Sequence, residues 1–142
     1  MKPLAASLLL ALFGCGPAIS HNDSTLAAPG TYLITAEQIE KSGALSAWQI
    51  LREKAPMLTM REDRNGRPAS MSRRGQSSFL LDEAPMIMLD GVRVPDFHAL
   101  ESIDARSIFT ILIYDGVEGT TYYGTNAASG VVVIKTKDGR QS

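Results

Sequence analysis

The sequence predicts an α+β domain in which short helices lie beside a small sheet, and three observations carry that expectation. The segment "MIMLDGVRV" (86–94) has the form of a tight hairpin, because Asp90-Gly91 supplies the positive φ that both central residues of a type I′ turn require. The segment "IFTILIY" (108–114) is apolar on both of its alternating faces, as befits a strand covered on both sides. Two stretches open with helix caps at Thr35 and Ser46 and close at Gly43 and Pro56, so short helices precede the strands.

Taken in order, Tyr32, Leu33 and Ile34 form a short strand. Thr35 and Gln38 stand in capping-box positions for a helix over 36–41 that Gly43 ends. Ser46 and Gln49 repeat the pattern. Ala47, Trp48, Leu51 and Ala55 then share one face of a second helix, which runs to about Lys54 before Pro56 stops it. On that face Trp48 is expected to anchor the core rather than to hold a ligand. Residues 57–60 are a short apolar run suited to a sheet, and "REDRNGRPAS" (61–70) turns at Asn65-Gly66 toward a strand over 69–72.

In the hairpin, a two-residue turn places Leu89 opposite Val92 and Ile87 opposite Val94, which makes one face wholly apolar. Met86, Met88 and Arg93 take the other. Residues 97–102 and 104–107 suggest short helical turns, and the strand over 108–114 should be central in its sheet. Gly116, Gly119 and Gly124 punctuate an expected loop. The final strand, 131–137, sets Val131 and Val133 on one face with Lys135 and Lys137, so its far end should reach water.

The chain of 142 residues suits one domain, and its ends read differently from its middle. Lys2 followed by the apolar run 4–13 has the anatomy of a secretory signal and is too short to span a bilayer. Leu12-Phe13-Gly14-Cys15 resembles the lipobox of bacterial lipoproteins, in which the cysteine is acylated and becomes the new N-terminus; Phe13 departs from the small or β-branched residue usual there. The other reading is an ordinary signal peptide that contains a cysteine. Cys15 is the chain's single cysteine, so an internal disulfide is excluded. Residues 16–30, "GPAISHNDSTLAAPG", are small, polar and twice interrupted by proline, as a flexible tether would be. The expected division is a lipoprotein signal peptide over 1–14, a tether over 15–30 and a folded domain over 31–139.

Cleavage before Cys15 would remove one lysine and leave 13 Lys and Arg against 15 Asp and Glu. That balance gives no footprint for nucleic acid. Catalysis would need a nucleophile beside a base, a carboxylate pair or grouped metal ligands. His21 lies in the tether and His98 stands alone, Asp90 is accounted for by its turn, and the glycines at 116, 119 and 124 do not make a phosphate-binding G-x-G-x-x-G. The sequence therefore predicts no active site, no metal and no cofactor. Two polar stretches, "RRGQSS" (73–78) and "DGVEGTTYYG" (115–124), offer Arg73, Arg74, Gln76, Asp115, Glu118, Tyr122 and Tyr123 as candidate interaction residues, with plain solvated surface as the alternative. The methionines at 57, 60, 71, 86 and 88 either make an adaptable surface or fill a core.

The order of these signals resembles the plug domain of TonB-dependent outer-membrane receptors, especially the SusC-like kind. The resemblance rests on Ile34-Thr35, Ile39 and Ser42-Gly43-Ala44; on Leu51-Arg52 and Pro56; on Arg74-Gly75; on Pro85 and Leu89-Asp90-Gly91-Val92; and on Gly116, Tyr123-Gly124-Thr125, Ala127 through Val131, and Ile134 through Lys137. It covers about 33–139. Two positions depart from the family pattern: Leu112 stands where a glutamate is usual, and Asp115 where a basic residue precedes the glycine. No TonB-box peptide is evident in "TYLIT" (31–35).

The resemblance implies a small mixed sheet with short helices, an outer-membrane setting and a protein partner. In a receptor the last strand would lead into a β-barrel. Here the expectation is a free-standing plug-like lipoprotein, held on the periplasmic or outer face of the outer membrane by lipid on Cys15. It would act as an envelope protein-interaction module. The alternative is a transport accessory that gates or feeds a separately encoded barrel.

Overall fold

The computed structural model describes residues 26–74 and 84–138. Their strands are β1 (Leu26–Ala28), β2 (Thr31–Ile34), β3 (Leu58–Glu62), β4 (Pro68–Arg73), β5 (Met86–Leu89), β6 (Val92–Val94), β7 (Ile108–Tyr114) and β8 (Val131–Thr136). The helices are α1 (Ala36–Ser42), α2 (Ala47–Lys54) and α3 (Gly116–Tyr123), with 3₁₀ turns at Phe97–Glu101, Ala105–Ser107 and Thr125–Ala127. Six strands make one mixed sheet in the order β1-β2-β7-β8-β5-β6, and β3 pairs with β4 as a separate ribbon. The expected α+β class, with a small mixed sheet and short helices, is the one observed.

Local chemistry sets the early elements. In α1 the backbone N–H of Gln38 donates to Thr35 Oγ1 at 3.4 Å while that of Thr35 donates to Gln38 Oε1 at 3.0 Å, the reciprocal capping box. Ser46 caps α2 by accepting from Gln49 N at 3.4 Å. The tether expected over 15–30 gives way before its end, because Leu26–Ala28 pairs antiparallel with β2 at the sheet's edge. Thr31 through Ile34 then pair antiparallel with Tyr114 through Ile111, which makes β7 central as its sequence demanded.

The hairpin forms in the expected register, with Ile87 opposite Val94, Met88 opposite Arg93 and Leu89 opposite Val92. Its turn places Asp90 at φ 47 and Gly91 at φ 83, as a type I′ turn requires. The expected apolar face is only partly covered: Ile87, Leu89 and Val94 join the core, but Val92 is 69% exposed at the start of β6, the edge strand of the sheet. The other face of β5 is used as well. β5 runs parallel to β8, and Met86 and Met88 pack against the cluster of Ala127, Val131 and Val133.

The sheet thus has two cores. On one side α1 and α2 bury Ile39, Trp48, Ile50 and Leu51 against Ile34, Ile111, Val132 and Ile134. Each such side chain contributes about 1.5–3 kcal/mol when fully buried. On the other side, Ala127, Val131 and Val133 pack with Met86, Met88, Leu112, Tyr114 and Tyr123. An irregularity of pairing between Ile108 and Thr110 lets Ile108 join the first core although strict alternation would place it with Leu112. Trp48 is 2% exposed, donates Nε1–H to Glu62 Oε1 at 2.9 Å and stacks 6.1 Å from Phe97. Glu62 also pairs with Arg52, so one carboxylate ties α2 to the ribbon. The methionines at 57, 60, 71, 86 and 88 line the cores and do not form an open surface.

The loop expected at Gly116, Gly119 and Gly124 is instead α3 up to Tyr123. Gly119 has a steric reason: a Cβ there would stand 2.8 Å from the carbonyl oxygen of Ala127 and 3.2 Å from Val131 Cγ2. The glycine brings α3 down onto the second core. The final strand behaves as expected, with Val131 and Val133 buried, Lys135 half-buried and Lys137 exposed.

Candidate interaction surface

Two segments that are far apart in sequence meet at one end of the sheet. β4 ends at Arg73, and the backbone N–H of Arg74 donates to Met57 O at 2.8 Å, which fixes the start of the first polar stretch against the ribbon. Gln76 lies outside the described residues. β7 ends at Tyr114, and its neighbour Asp115 donates its N–H to Gly30 O at 2.8 Å. Arg73 and Asp115 line one cavity of about 170 Å³ together with Gly30, Thr31, Met57, Ile113 and Tyr114. Arg74 is exposed beside it.

Within this cluster the roles divide. The Asp115 carboxylate accepts from Val117 N and Glu118 N, both at 2.9 Å, and so caps α3 and meets the positive end of its dipole. Asp115 and Glu118 three residues later are the helix-start signal that the three glycines obscured. Tyr122 is 65% exposed and lies against Tyr114, ring centroids 5.4 Å apart at 48°. Tyr123 flanks the same ring at 6.2 Å and 51°, but it turns inward to the second core. Desolvation pushes the Tyr114 phenol above its ordinary range, and the neighbouring Tyr123, Tyr122 and Glu118 charges push the same way. Tyr114 and the 72% exposed Val117 belong to this surface although the sequence reading passed over them.

Among the described residues no group of three or more His, Cys, Asp or Glu side chains could hold a metal ion. His98 is taken up locally, its Nδ1 2.5 Å from Asp96 Oδ1 and its ring stacked on Phe97. No described helix is long and apolar enough to cross a membrane. The geometry is that of a surface with aromatic, acidic and basic groups, and β1 and β6 leave strand edges at either margin of the sheet.

The family model for the TonB-dependent receptor plug domain matches residues 25–131. The chain belongs to that family. The plug domain is 28% identical over 81 residues to the TonB-dependent receptor SusC of Bacteroides thetaiotaomicron, a match covering 53% of this chain and 8% of SusC. In structure it is similar to a mutant ferric enterobactin receptor, PfeA, from Pseudomonas aeruginosa in complex with enterobactin. The TM-score is 0.59 and the identity 26%, over 78% of this chain and 18% of that one. The siderophore receptor PirA from Pseudomonas aeruginosa gives 0.53 at 29% identity, over 78% and 19%. The RagAB peptide importer shares the fold with a TM-score of 0.59 at 20% identity, over 75% of this chain and 12% of that one. The chain therefore spans less than a fifth of the length of these relatives. Both departures noted in the sequence have a structural place in this plug domain: Leu112 packs in the second core and Asp115 caps α3.

Proposed function

We propose that this plug domain is a protein-interaction module of the cell envelope, tethered to the outer membrane by lipid on Cys15 and catalysing nothing. The observation that carries the proposal is the gathering of Arg73, Arg74, Asp115, Glu118 and Tyr122 at one end of a plug-type sheet, with Tyr123 packed inward behind them. Aromatic side chains next to charged ones are the composition of binding surfaces, because they bury much area at little rotamer cost. The partner is an envelope protein, with a β-barrel receptor as the first candidate. Cys15 and Gln76 enter from the sequence alone.

The likeness to receptors favours a second, narrower reading, in which the module gates or feeds a barrel encoded separately. Affinity purification of the tagged whole chain from membranes tests both. Recovery of an envelope protein that is lost when Tyr122→Ala and Arg74→Glu are combined supports the interaction module. A recovered barrel, together with reduced uptake in the same variant, supports the transport reading. Recovery of the same protein by wild type and variant alike would count against this surface. Cys15→Ser should move the chain out of the membrane fraction, and a variant that still sediments with membranes would remove the lipid anchor from the proposal.

A further inference from the structure

Where the C-terminal end of α1 meets the turn Ala105–Ser107, a separate groove of about 250 Å³ is lined by Ile39, Ala44, Leu45, Ile108, Arg106 and Lys137 among others. Its floor is apolar, and a large aliphatic side chain, Leu45, stands at its mouth 70% exposed. That exposure is held in place: Leu45 N donates to Gln49 Oε1 at 2.9 Å, and its carbonyl accepts from Ala105 N at 3.1 Å. With its backbone held at both ends, Leu45 has only its side chain left to order when a ligand binds.

Two cations stand along one margin. Lys137 N donates to Ser107 O at 2.8 Å, which sets Lys137 beside the turn that carries Arg106. Both side chains are exposed, and among the described residues that line the groove Glu40 is the one carboxylate, from the α1 side. The groove is smaller than the roughly 300–1,000 Å³ of pockets that take drug-sized molecules, so it suits one aliphatic group rather than a cofactor. The amides around it are engaged within the fold: Gly43 N to Glu40 O, Ala44 N to Ser42 Oγ, and Leu45 N as above. They leave no obvious ladder for a peptide backbone.

We propose that this groove binds a small branched aliphatic carboxylic acid, its hydrocarbon against Ala44 and Leu45 at the edge of the buried Ile39 and Ile108, and its carboxylate toward Arg106 and Lys137. This site is independent of the interaction surface at the Tyr114 end. The probe is 4-methylpentanoate, titrated into the whole purified chain and followed by the methyl NMR signals of Ile39, Leu45 and Ile108. Saturable shifts are expected at these three positions, with affinity weakened about tenfold or more in Arg106→Glu with Lys137→Glu, as removing charge-assisted bonds should do. Ala44→Leu, which fills the groove without altering charge, should abolish the shifts. Equal binding of the neutral amide 4-methylpentanamide, an unchanged affinity in the double charge reversal, or no saturation at all would overturn the proposal. Markedly tighter binding of N-acetyl-leucine would overturn the free acid as the ligand and give the groove to a peptide chain end.

Discussion

Asp90 and Thr136, 46 residues apart in sequence, are joined twice: the Asp90 carboxylate accepts from the Thr136 backbone N–H at 2.8 Å and from its hydroxyl at 2.7 Å. The hairpin turn is therefore clasped to the end of the last strand, and Asp90 N adds a third link to Ile134 O at 2.9 Å. A residue selected locally for positive φ also fixes the parallel pairing of β5 with β8.

Asp90→Ala should lower stability by about 2–3 kcal/mol, because two bonds to a carboxylate are lost and a positive φ is left to a residue that resists it. Asp90→Asn tolerates the φ and keeps an acceptor, so it should cost clearly less. Thermal denaturation of the pair checks this, and equal melting temperatures for Ala and Asn would show that the clasp contributes nothing.

Gly91→Val should be more damaging than most surface changes, since a β-branched residue resists the φ of 83 that the turn holds. The cost should be of the order of 1–3 kcal/mol. An unaltered melting curve would mean that the hairpin does not need its type I′ turn.

Gly119→Ala tests packing instead of backbone conformation. The new methyl group would crowd the Ala127 carbonyl, a backbone atom that moves only with its whole turn. A loss of about 1–3 kcal/mol is expected, accompanied by shifts in the Val131 and Ala127 NMR signals. If Ala is tolerated without change, α3 does not press on the second core as described.

Trp48 is the chain's single tryptophan, so its fluorescence reports on the first core alone. Trp48→Ala should cost about 3–5 kcal/mol. Glu62→Ala removes the indole's acceptor and the partner of Arg52, and it should shift the emission of the folded protein while costing less. Identical emission spectra for wild type and Glu62→Ala would refute the indole–carboxylate bond.

Stability should also depend on alkaline pH through Tyr114. Its folded pKa is raised above the ordinary 10.0 by burial and by nearby acidic groups. The contribution is therefore complete below pH 10 and is lost as pH rises through the folded value, where the unfolded chain ionises first. Tyr114→Phe should flatten this limb of the melting profile from about pH 9 upward. A variant profile parallel to wild type would assign the dependence elsewhere.

Features settled within a few residues were legible from the amino-acid order. The capping box at Thr35 and Gln38, the stop at Gly43, the Asp90-Gly91 turn with its register, and the two-sided burial of residues 108–114 follow from hydrogen bonds and alternation that adjacent side chains dictate. The tertiary structure alone decided the rest. It converted the glycines at 116 and 119 from loop punctuation into a helix, because close approach to Ala127 and Val131 rewards a missing side chain that local propensity counts against. It drew Leu26–Ala28 out of an expected tether into the sheet, where an open edge supplied the partner. It also ran β5 parallel to β8, gave Ile108 to the helical core and brought Arg73 to Asp115. Each of these depends on pairing or packing between residues remote in the chain, and the energy of such a contact exists only once the fold has brought both partners to the same place.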